Sequence, residues 1–448
     1  MNILCRAPIW WREPYKVSIN IRKMRTDVDN EKPHVHYDHQ DDCREFRWTA
    51  KESYAYLYDR PWEEVMDFYS HLAAGRLSLS DLVFHESKKG NVARPYGNAA
   101  VPSCTGILLE NNSKKPKGGK WARRTFKIVL SYDGNLFDGW QKQPGMNTVQ
   151  GLVEKSLGKF VDEKKAQELE AKKASVEAAV AVAGRTDKGV SAFQQVCSFY
   201  TWRKDTSLED IESEINAAAL GKLKVVSISE VSREFHPNFS AKWRRYLYIL
   251  PLKDGEGNKT VVDGGSPVTY DSLCLADEGG NQSTDMNVIN MEAMNISATG
   301  KHQASVKPHN FNVDTVNQLL QQLEGQSLSY RIFARDTQAS RSRGPATECF
   351  MHHARAAVAT LPYMGQDHTS KGRTVMCVEL VANRFLRKMV RVLVATAVRE
   401  AAAGATPDNL LKLMHATCRR ASAPPAPPEG LCLVDIGYTD INQENFLI

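Results

Sequence analysis

The sequence predicts an α+β protein built from two similar halves, each a ferredoxin-like unit with the element order βαββαβ. Two observations support this fold class. From Thr125 onward, short runs with apolar residues at every second position alternate with longer runs whose apolar residues recur every three or four positions. The same order of runs then occurs a second time, without sequence identity between the two copies. We expect the two sheets to adjoin around a pseudo-twofold cleft that could hold a long nucleic acid.

In the first half, the strand TFKIVLSYDG is followed by a helix whose apolar residues run from Val149 to Phe160. A stretch rich in Lys, Glu and Ala then either extends this helix or forms an exposed turn. The segments VEAAVAVAG and QQVCSFYTW are predicted strands on either side of a GRTDKG loop. Thr206 and Glu209 predict a capping box for the second helix, and LKVVSISEV supplies the last strand.

The second half repeats this order. Its predicted elements are the strand KWRRYLYIL, the helix VDTVNQLLQQLEG, strands near FMHHARAAVAT and TVMCVELVA, the helix RFLRKMVRVLVATAVREAAAG and the strand LCLVDIGY. Residues 252–309 interrupt the half after its first strand. They are rich in Gly, Asn, Ser and Asp and show little periodicity, which predicts a flexible insertion.

Residues 1–120 are predicted to form an N-terminal extension. The passage RPWEEVMDFYSHLAAGRL has apolar residues at helical spacing, and NNSKKPKGGKWARR at the end of the extension is typical of an exposed basic linker. We therefore divide the chain into this extension, a first half of the core at 121–240 and a second half at 241–448.

Charge and cysteine usage limit the class of protein. The 448 residues carry 58 Lys plus Arg against 52 Asp plus Glu, and this net charge of +6 suits a polyanionic partner without proving one. The nine cysteines form no CxxC pair, which argues against a zinc knuckle and a secreted disulfide framework and favours a reducing intracellular compartment. Nucleus and cytoplasm both fit, and a basic N-terminus leaves an organelle open.

Membrane, cofactor and metal signals are weak. No run approaches the ~18 to 20 apolar residues that a membrane span needs, so we expect no membrane partner. No Walker-type or dinucleotide-binding glycine pattern follows a predicted strand, so we expect no nucleotide cofactor. His34, His36 and His39 are clustered, but their spacing matches no common zinc signature, which favours an exposed loop over a metal site.

The segment AGRTDKGVSAF is the strongest candidate for a site. A glycine on each side of a short charged stretch predicts a tight loop that holds Arg185 and Asp187 near a backbone surface. From the pattern alone, an ordinary hairpin with solvated charges fits equally well. On the strand KWRRYLYIL, Arg244, Tyr246 and Tyr248 are predicted to face the same way, which could place a π surface and a guanidinium in the cleft.

A second candidate is basic. In the helix predicted to start at Arg384, residues Arg384, Arg387, Lys388 and Arg391 recur at steps of three and four, which predicts a basic stripe opposite the apolar face. RNA phosphates are its natural partner, whereas a solvated helix face would show the same pattern.

Five segments, taken in order, resemble the successive motifs of the TruA family of transfer RNA pseudouridine synthases. They are SYDGNLFDGWQKQPGMNTVQ, AGRTDKGVSAF, FHPNFSAKWRRYLY, NRFLRKMVR and PPAPPEGLCL, and the form with Lys188 and Ser191 is similar to the eukaryotic branch. The resemblance covers about residues 125 to 438. It implies the pseudouridine synthase fold, tRNA as the partner, no cofactor, and isomerisation of uridine in the anticodon stem-loop, around positions 38 to 40. Family habit also implies a homodimer, although the extension or the insertion could block that surface and leave a monomer.

The resemblance also implies roles for individual residues. Asp187 is the essential carboxylate, acting as nucleophile or as base, Arg391 pairs with it, and Arg185 helps to extrude the nucleotide. Tyr246 stacks on the target base. Together with Arg244 and with Arg384, Arg387 and Lys388 of the basic stripe, it is expected to bind the RNA.

Two other interpretations stay open. The protein could be an RNA-binding protein with a dormant site, or a pseudouridine synthase for other tRNA positions, small nuclear RNA or messenger RNA. The segment LEGQSLSYRIFARD departs from the family pattern, so substrate selection could differ here.

Overall fold

Ten strands of the described chain join in one mixed sheet that runs through both halves of the protein. The structure is a computed structural model and describes residues 43–85, 123–253, 256, 307–335, 347–363, 372–416 and 418–448. The histidine cluster, nearly all of the insertion predicted at 252–309 and most of the basic linker lie outside these residues.

The elements follow in chain order. The N-terminal segment contributes α1 (Ala50–Tyr58), α2 (Glu63–Ala73) and β1 (Val83–Phe84). The first half contains β2 (Arg124–Tyr132), α3 (Val149–Ser156), α4 (Glu163–Ala171), β3 (Ala181–Val182), β4 (Ser191–Thr201), α5 (Leu208–Ala218) and β5 (Leu223–Val231). The second half contains β6 (Trp243–Pro251), α6 (Val313–Gln321), β7 (Gln326–Ser329), β8 (Glu348–Thr360), β9 (Thr374–Ala382), α7 (Met389–Ala402), α8 (Asn409–Met414) and β10 (Leu431–Gly437).

The strand order confirms the predicted fold class. In the first half the sheet runs β5-β2-β4-β3 and in the second β10-β6-β9-β8, so both halves have the ferredoxin-like order of fourth, first, third and second strand. The two sheets meet where β10 pairs in parallel with the start of β4, through Cys432 opposite Ser191 and Leu433 opposite Ala192. This seam places the beginning of β4 at the centre of the molecule. The predicted domain boundaries stay predictions, since residues 86–122 are not described.

Apolar residues cover both faces of the sheet. On one face, α3, α5, α6 and α7 contribute to a single large core, in which all fourteen residues of α7 are buried. On the other face, the helix predicted in the extension forms as α2 and packs Val65, Phe68, Tyr69 and Leu72 against β6, β9 and β10. The Tyr69 hydroxyl donates a hydrogen bond to the carbonyl of Gly430 at 3.0 Å. The N-terminal segment is therefore part of the same packed body as the core.

The prediction of a helix from Arg384 is wrong at its start. The helix α7 begins at Met389, while Lys388 has a left-handed backbone with φ of +60°. Residues 383–388 form a loop because other segments use their backbone: Arg335 donates its N–H to the carbonyl of Arg387 at 3.0 Å, and Arg244 donates to the carbonyl of Asn383 at 2.8 Å. The basic stripe along one helix face therefore does not exist.

Smaller differences concern caps and lengths. Ser207, not Thr206, caps α5 by accepting a hydrogen bond from the N–H of Asp210, because Thr206 is buried and its carbonyl binds Arg124. The stretch rich in Lys, Glu and Ala forms the separate helix α4, capped by Asp162. The strand predicted before the GRTDKG loop shortens to the two residues of β3. Helices α1 and α8 and strands β1 and β7 carry patterns too short to predict them.

Within the described ranges, no helix is long and apolar enough to cross a membrane. Four cysteines in those ranges, Cys197, Cys349, Cys377 and Cys432, are buried free thiols.

Candidate active site

The loop with Asp187 lies directly before β4, at the seam between the two halves. Its residues 184–190 follow β3, and β4 begins at Ser191, which is also the first residue paired with β10. This position exposes the loop to side chains from both halves of the sheet. The glycine-bounded loop that the sequence predicts is therefore present, and it is a junction rather than an isolated hairpin.

Buried polar groups hold the loop in one conformation. Gln195, which is fully buried, donates its side-chain amide to the carbonyl of Gly184 at 2.7 Å. The N–H of Trp140 donates to the carbonyl of Thr186 at 3.1 Å, and the hydroxyl groups of Thr186 and Tyr132 lie 2.8 Å apart. Because these partners are themselves buried, the loop is fixed before any substrate binds.

Two glycines make close backbone approaches at the loop. Gly139 has φ of +100°, and a Cβ built there would come within 3.1 Å of the Lys188 nitrogen and the Thr186 oxygen. Gly189 has φ of +81°, and its Cβ would meet Pro428 at 3.1 Å. At both positions an L side chain would be strained and crowded at once.

The structure brings Asp187 and Arg391 together. One Nη of Arg391 lies 3.1 Å from Oδ2 of Asp187, and its Nε donates to the carbonyl of Ala426 at 2.7 Å. The Arg391 side chain is 8% exposed, whereas that of Asp187 is 28% exposed. The carboxylate therefore faces the cleft with a buried, oriented cation behind it.

A residue of the N-terminal segment also reaches this pair. The phenol of Tyr58, the last residue of α1, lies near the Arg391 guanidinium. Burial raises the pKa of Tyr58, while the nearby Arg391 acts in the opposite direction. Sequence reasoning missed Tyr58, because no local pattern connects α1 to a helix that lies more than 300 residues further along the chain.

Tyr246 lies in the same cleft. It is 9% exposed, and the ring of Phe385 meets it edge-on, with 5.0 Å between the ring centroids. Burial raises the pKa of Tyr246 to about 12, and the negative charge of the nearby Asp187 acts in the same direction. The phenol is thus neutral at physiological pH and can donate a hydrogen bond as well as present its ring.

Arg244 connects three backbone segments through hydrogen bonds. Its guanidinium donates to the carbonyls of Ala183, Asn238 and Asn383 and to the Asn238 side chain, over distances of 2.6 to 3.1 Å. It is 7% exposed, and burial lowers its pKa from the usual arginine value. The alternation predicted for β6 is confirmed, with Tyr246 and Tyr248 on one face and Leu247 and Ile249 on the other. Contact of Arg244 with RNA stays a prediction.

The remaining basic candidates converge on the cleft although they share no helix. Arg185 is exposed and donates to the side chain of Gln141 at 3.0 Å. Arg384, Arg387 and Lys388 reach the cleft from the loop before α7. The cleft has a volume of about 1300 Å³, and its lining includes seven Lys or Arg side chains against two Asp. Such a lining attracts a polyanion.

Comparison with known proteins shows which proteins this chain is similar to. A family model described as tRNA pseudouridine synthase matches residues 320–439. A protein named tRNA pseudouridine synthase A from Colwellia psychrerythraea is 27% identical over 320 residues, which cover 70% of this chain and 94% of the relative. Proteins of the same name from Borrelia duttonii and Dictyoglomus thermophilum are 36% and 38% identical over 121 and 126 residues, covering 27% and 28% of this chain.

The chain is similar to the TruA family of tRNA pseudouridine synthases. It spans 44% of the length of the Borrelia duttonii relative and 46% of that from Dictyoglomus thermophilum. The assignment to the eukaryotic branch of the family stays a prediction.

Sequence reasoning missed several residues around Asp187. Asp138 lies 2.8 Å from the ammonium of Lys188 through Oδ1 and accepts the N–H of Asn147 through Oδ2. The Lys188 ammonium lowers the pKa of Asp138. The segment FDGWQ, within SYDGNLFDGWQKQPGMNTVQ, could have indicated Asp138, Gly139 and Trp140, because such a compact turn with a glycine often supports a neighbouring loop. Gln195 and Thr186 gave no comparable signal.

Proposed function

We propose that this protein isomerises uridine to pseudouridine in tRNA, with Asp187 as the reacting carboxylate. The observation that carries the proposal is the Asp187–Arg391 pair, which is buried on the arginine side and open on the aspartate side. It lies in a basic cleft beside the neutral phenol of Tyr246. The names of the relatives support tRNA as the substrate.

The reaction requires a carboxylate, a cation and an aromatic ring, as in Asp187, Arg391 and Tyr246. The bond between uracil N1 and C1′ breaks, the base turns, and a bond forms from C5 to C1′; the proton on C5 then leaves and N1 takes up a proton, so that the product is an isomer of uridine. An ionised carboxylate can start this either by attack on the sugar or by removal of the C2′ proton. In both cases Arg391 orients the carboxylate and balances its charge. Tyr246 would lie against the base while it turns.

The target base must leave its stack before the carboxylate can reach the sugar, at a cost of a few kcal/mol. The basic residues around the cleft would bind the backbone phosphates on either side and offset this cost. We further propose Arg185 as the side chain that enters the space left by the nucleotide. The anticodon stem-loop, around positions 38 to 40, is the target that the family resemblance favours.

The first experiment maps pseudouridine in tRNA incubated with the wild-type protein, Asp187→Ala and Asp187→Asn, by chemical labelling at each position. Modification should fall by about 1000-fold or more in both variants, because neither can supply a carboxylate. The exposed Asp440→Asn is the matched control and should keep wild-type activity. The labelled position names the target.

Two results would contradict the proposal. If Asp187→Ala keeps its activity, Asp187 is not the reacting group. If the wild-type protein binds tRNA but modifies neither tRNA nor small nuclear or messenger RNA, the protein is an RNA-binding module with a dormant site.

A further inference from the structure

A pair of aromatic rings stands at the edge of the cleft in a loop between β5 and β6. The ring of Phe239 lies 4.3 Å from that of His236, with 30° between their planes, and both residues line the cleft. Phe239 is 82% exposed, about twice the 41% of Phe46. A single exposed apolar side chain is ordinary on a protein surface, so exposure alone decides nothing.

The backbone beneath the rings is tightly held. The N–H groups of Asn238 and Phe239 donate to Nδ1 of His236 at 3.2 and 3.3 Å, and the N–H of His236 donates to Oγ of Ser240 at 3.1 Å. With Nδ1 accepting, the neutral imidazole carries its proton on Nε2. An exposed ring in a loop of this kind is held in position without any partner, which lowers the entropy lost on binding.

Arg244 connects this loop to the catalytic loop. Its Nη2 donates both to Asn238 at the tip of the ring-bearing loop and to the carbonyl of Ala183, four residues before Asp187. Because Arg244 is buried, the two loops are fixed relative to one another. The exposed face of Phe239 therefore has a set position with respect to the reacting carboxylate.

The geometry points to Phe239 as a stacking platform for a second nucleobase, next to the uridine that Asp187 modifies. This inference rests on the proposed function. A flat apolar ring at the rim of a basic cleft suits the π face of any base, whatever its hydrogen-bonding edge. Flipping the uridine also exposes the face of the adjacent base. Phe239 would replace that lost stacking contact, while Tyr246 contacts the flipped base itself.

The test compares Phe239→Ala, Phe239→Leu and Phe239→Trp with the control Phe46→Ala, in the full chain and with tRNA that the wild-type protein modifies. For Phe239→Ala we expect kcat/KM to fall by between about 5-fold and about 150-fold, the usual range for one stacked base. Phe239→Trp should keep wild-type activity, and Phe239→Leu should fall between, because it keeps apolar volume but has no ring. Phe46→Ala should change nothing.

A second measurement identifies the stacked nucleotide. Each nucleotide beside the target uridine is replaced in turn by an abasic residue, and kcat/KM is measured for the wild-type protein and for Phe239→Ala. At the stacked position, the abasic residue should lower kcat/KM of the wild-type protein. It should not lower kcat/KM of Phe239→Ala any further, since the two changes remove the same contact.

The outcomes separate this inference from the proposed function. If the wild-type protein makes pseudouridine and Phe239→Ala is as active as Phe46→Ala, the stacking inference is overturned and the function stands. If the wild-type protein makes no pseudouridine, the function fails, and fluorescence titration with the same RNAs decides the inference. Weaker RNA binding by Phe239→Ala alone would then support stacking, and equal binding would overturn it.

Discussion

At the scale of single residues, the site depends on what one guanidinium can do. Arg391 donates at once to Asp187 and to the carbonyl of Ala426, through nitrogen atoms on different sides of its planar group. Lysine has a single nitrogen and cannot hold both acceptors in this geometry. The carboxylate is thus fixed in angle as well as compensated in charge.

We expect Arg391→Lys to lower kcat by about 10-fold, since lysine keeps the positive charge but not the planar set of donors. Arg391→Gln should lower kcat by about 100-fold or more, since glutamine keeps neither the charge nor the guanidinium donors. Single-turnover rates with saturating tRNA measure this loss without a contribution from binding. Thermal unfolding serves as the control for folding. Wild-type rates in Arg391→Lys would show that the orientation of Asp187 does not depend on the guanidinium.

At the scale of elements, the start of α7 and the end of α1 determine which side chains meet Asp187. The left-handed Lys388 ends the preceding loop, so that Arg391 lies in the first turn of α7 and points toward the seam. The helix α1 lies outside the stretch that resembles the family motifs, and it ends with Tyr58 beside Arg391. The N-terminal segment thus adds a contact to the centre of the site.

Tyr58→Phe should lower kcat by about 3- to 10-fold with KM for tRNA unchanged, because it removes the polar hydroxyl that lies near Arg391, behind the reacting carboxylate. Tyr54 lies one turn earlier on the same helix, with its ring stacked 4.0 Å from that of Tyr58, and is exposed. Tyr54→Phe is therefore the matched control and should behave as wild type. Equal kcat values for the two variants would mean that Tyr58 has only a packing role.

At the scale of the whole molecule, a buried carboxylate joins the second half together. Glu379 of β9 accepts a hydrogen bond from Nε of Arg245 on β6 at 2.5 Å, and Nε2 of His353 on β8 lies 3.3 Å from it. The N–H groups of Leu447 and Ile448 both donate to Glu379 at 2.9 Å. Three strands and the C-terminal segment therefore meet at one carboxylate.

This network predicts a pH dependence of stability. Desolvation raises the pKa of Glu379, but His353, Arg245 and the backbone N–H of Ile448 outweigh it, so that the pKa lies below the usual 4.5. A carboxylate with a depressed pKa in the folded state stabilises the protein above its unfolded pKa. This contribution is lost as the pH falls from about 4.5 through the folded value.

Glu379→Gln should lower the free energy of unfolding at pH 7 by about 3 to 5 kcal/mol, because it leaves Arg245 buried without its counter-charge. It should also flatten the loss of stability below pH 4.5. Urea unfolding at a series of pH values measures both effects. The exposed partner of Lys242 offers a control: Asp440→Asn should leave the unfolding curve at pH 7 almost unchanged. If the free energy of unfolding of Glu379→Gln falls below pH 4.5 as steeply as that of the wild-type protein, groups other than Glu379 cause the acid sensitivity.

The sequence by itself determined the order of the longer strands and helices in the core and the loop that carries Asp187, but not the short elements β7 and α8. Alternation in TFKIVLSYDG and TVMCVELVA and helical spacing in VDTVNQLLQQLEG are local properties, because each face of an element must meet a core. The glycines around Arg185 and Asp187 likewise require a tight turn wherever the loop lies. These features could be predicted since they depend on residues a few positions apart.

No local pattern in the sequence predicts which side chains meet. Asp187 and Arg391 are 204 positions apart, and their pairing was implied by the family resemblance alone, whereas only the tertiary structure brings Tyr58 near Arg391 from a third segment. The sequence predicts that the helix starts at Arg384, whereas α7 starts at Met389. The reason is that two distant donors, Arg244 and Arg335, bind the backbone carbonyls of the preceding loop. The parallel pairing of β10 with β4 has no local signal either. Such contacts are selected by the packing energy of the whole fold, which no local pattern contains.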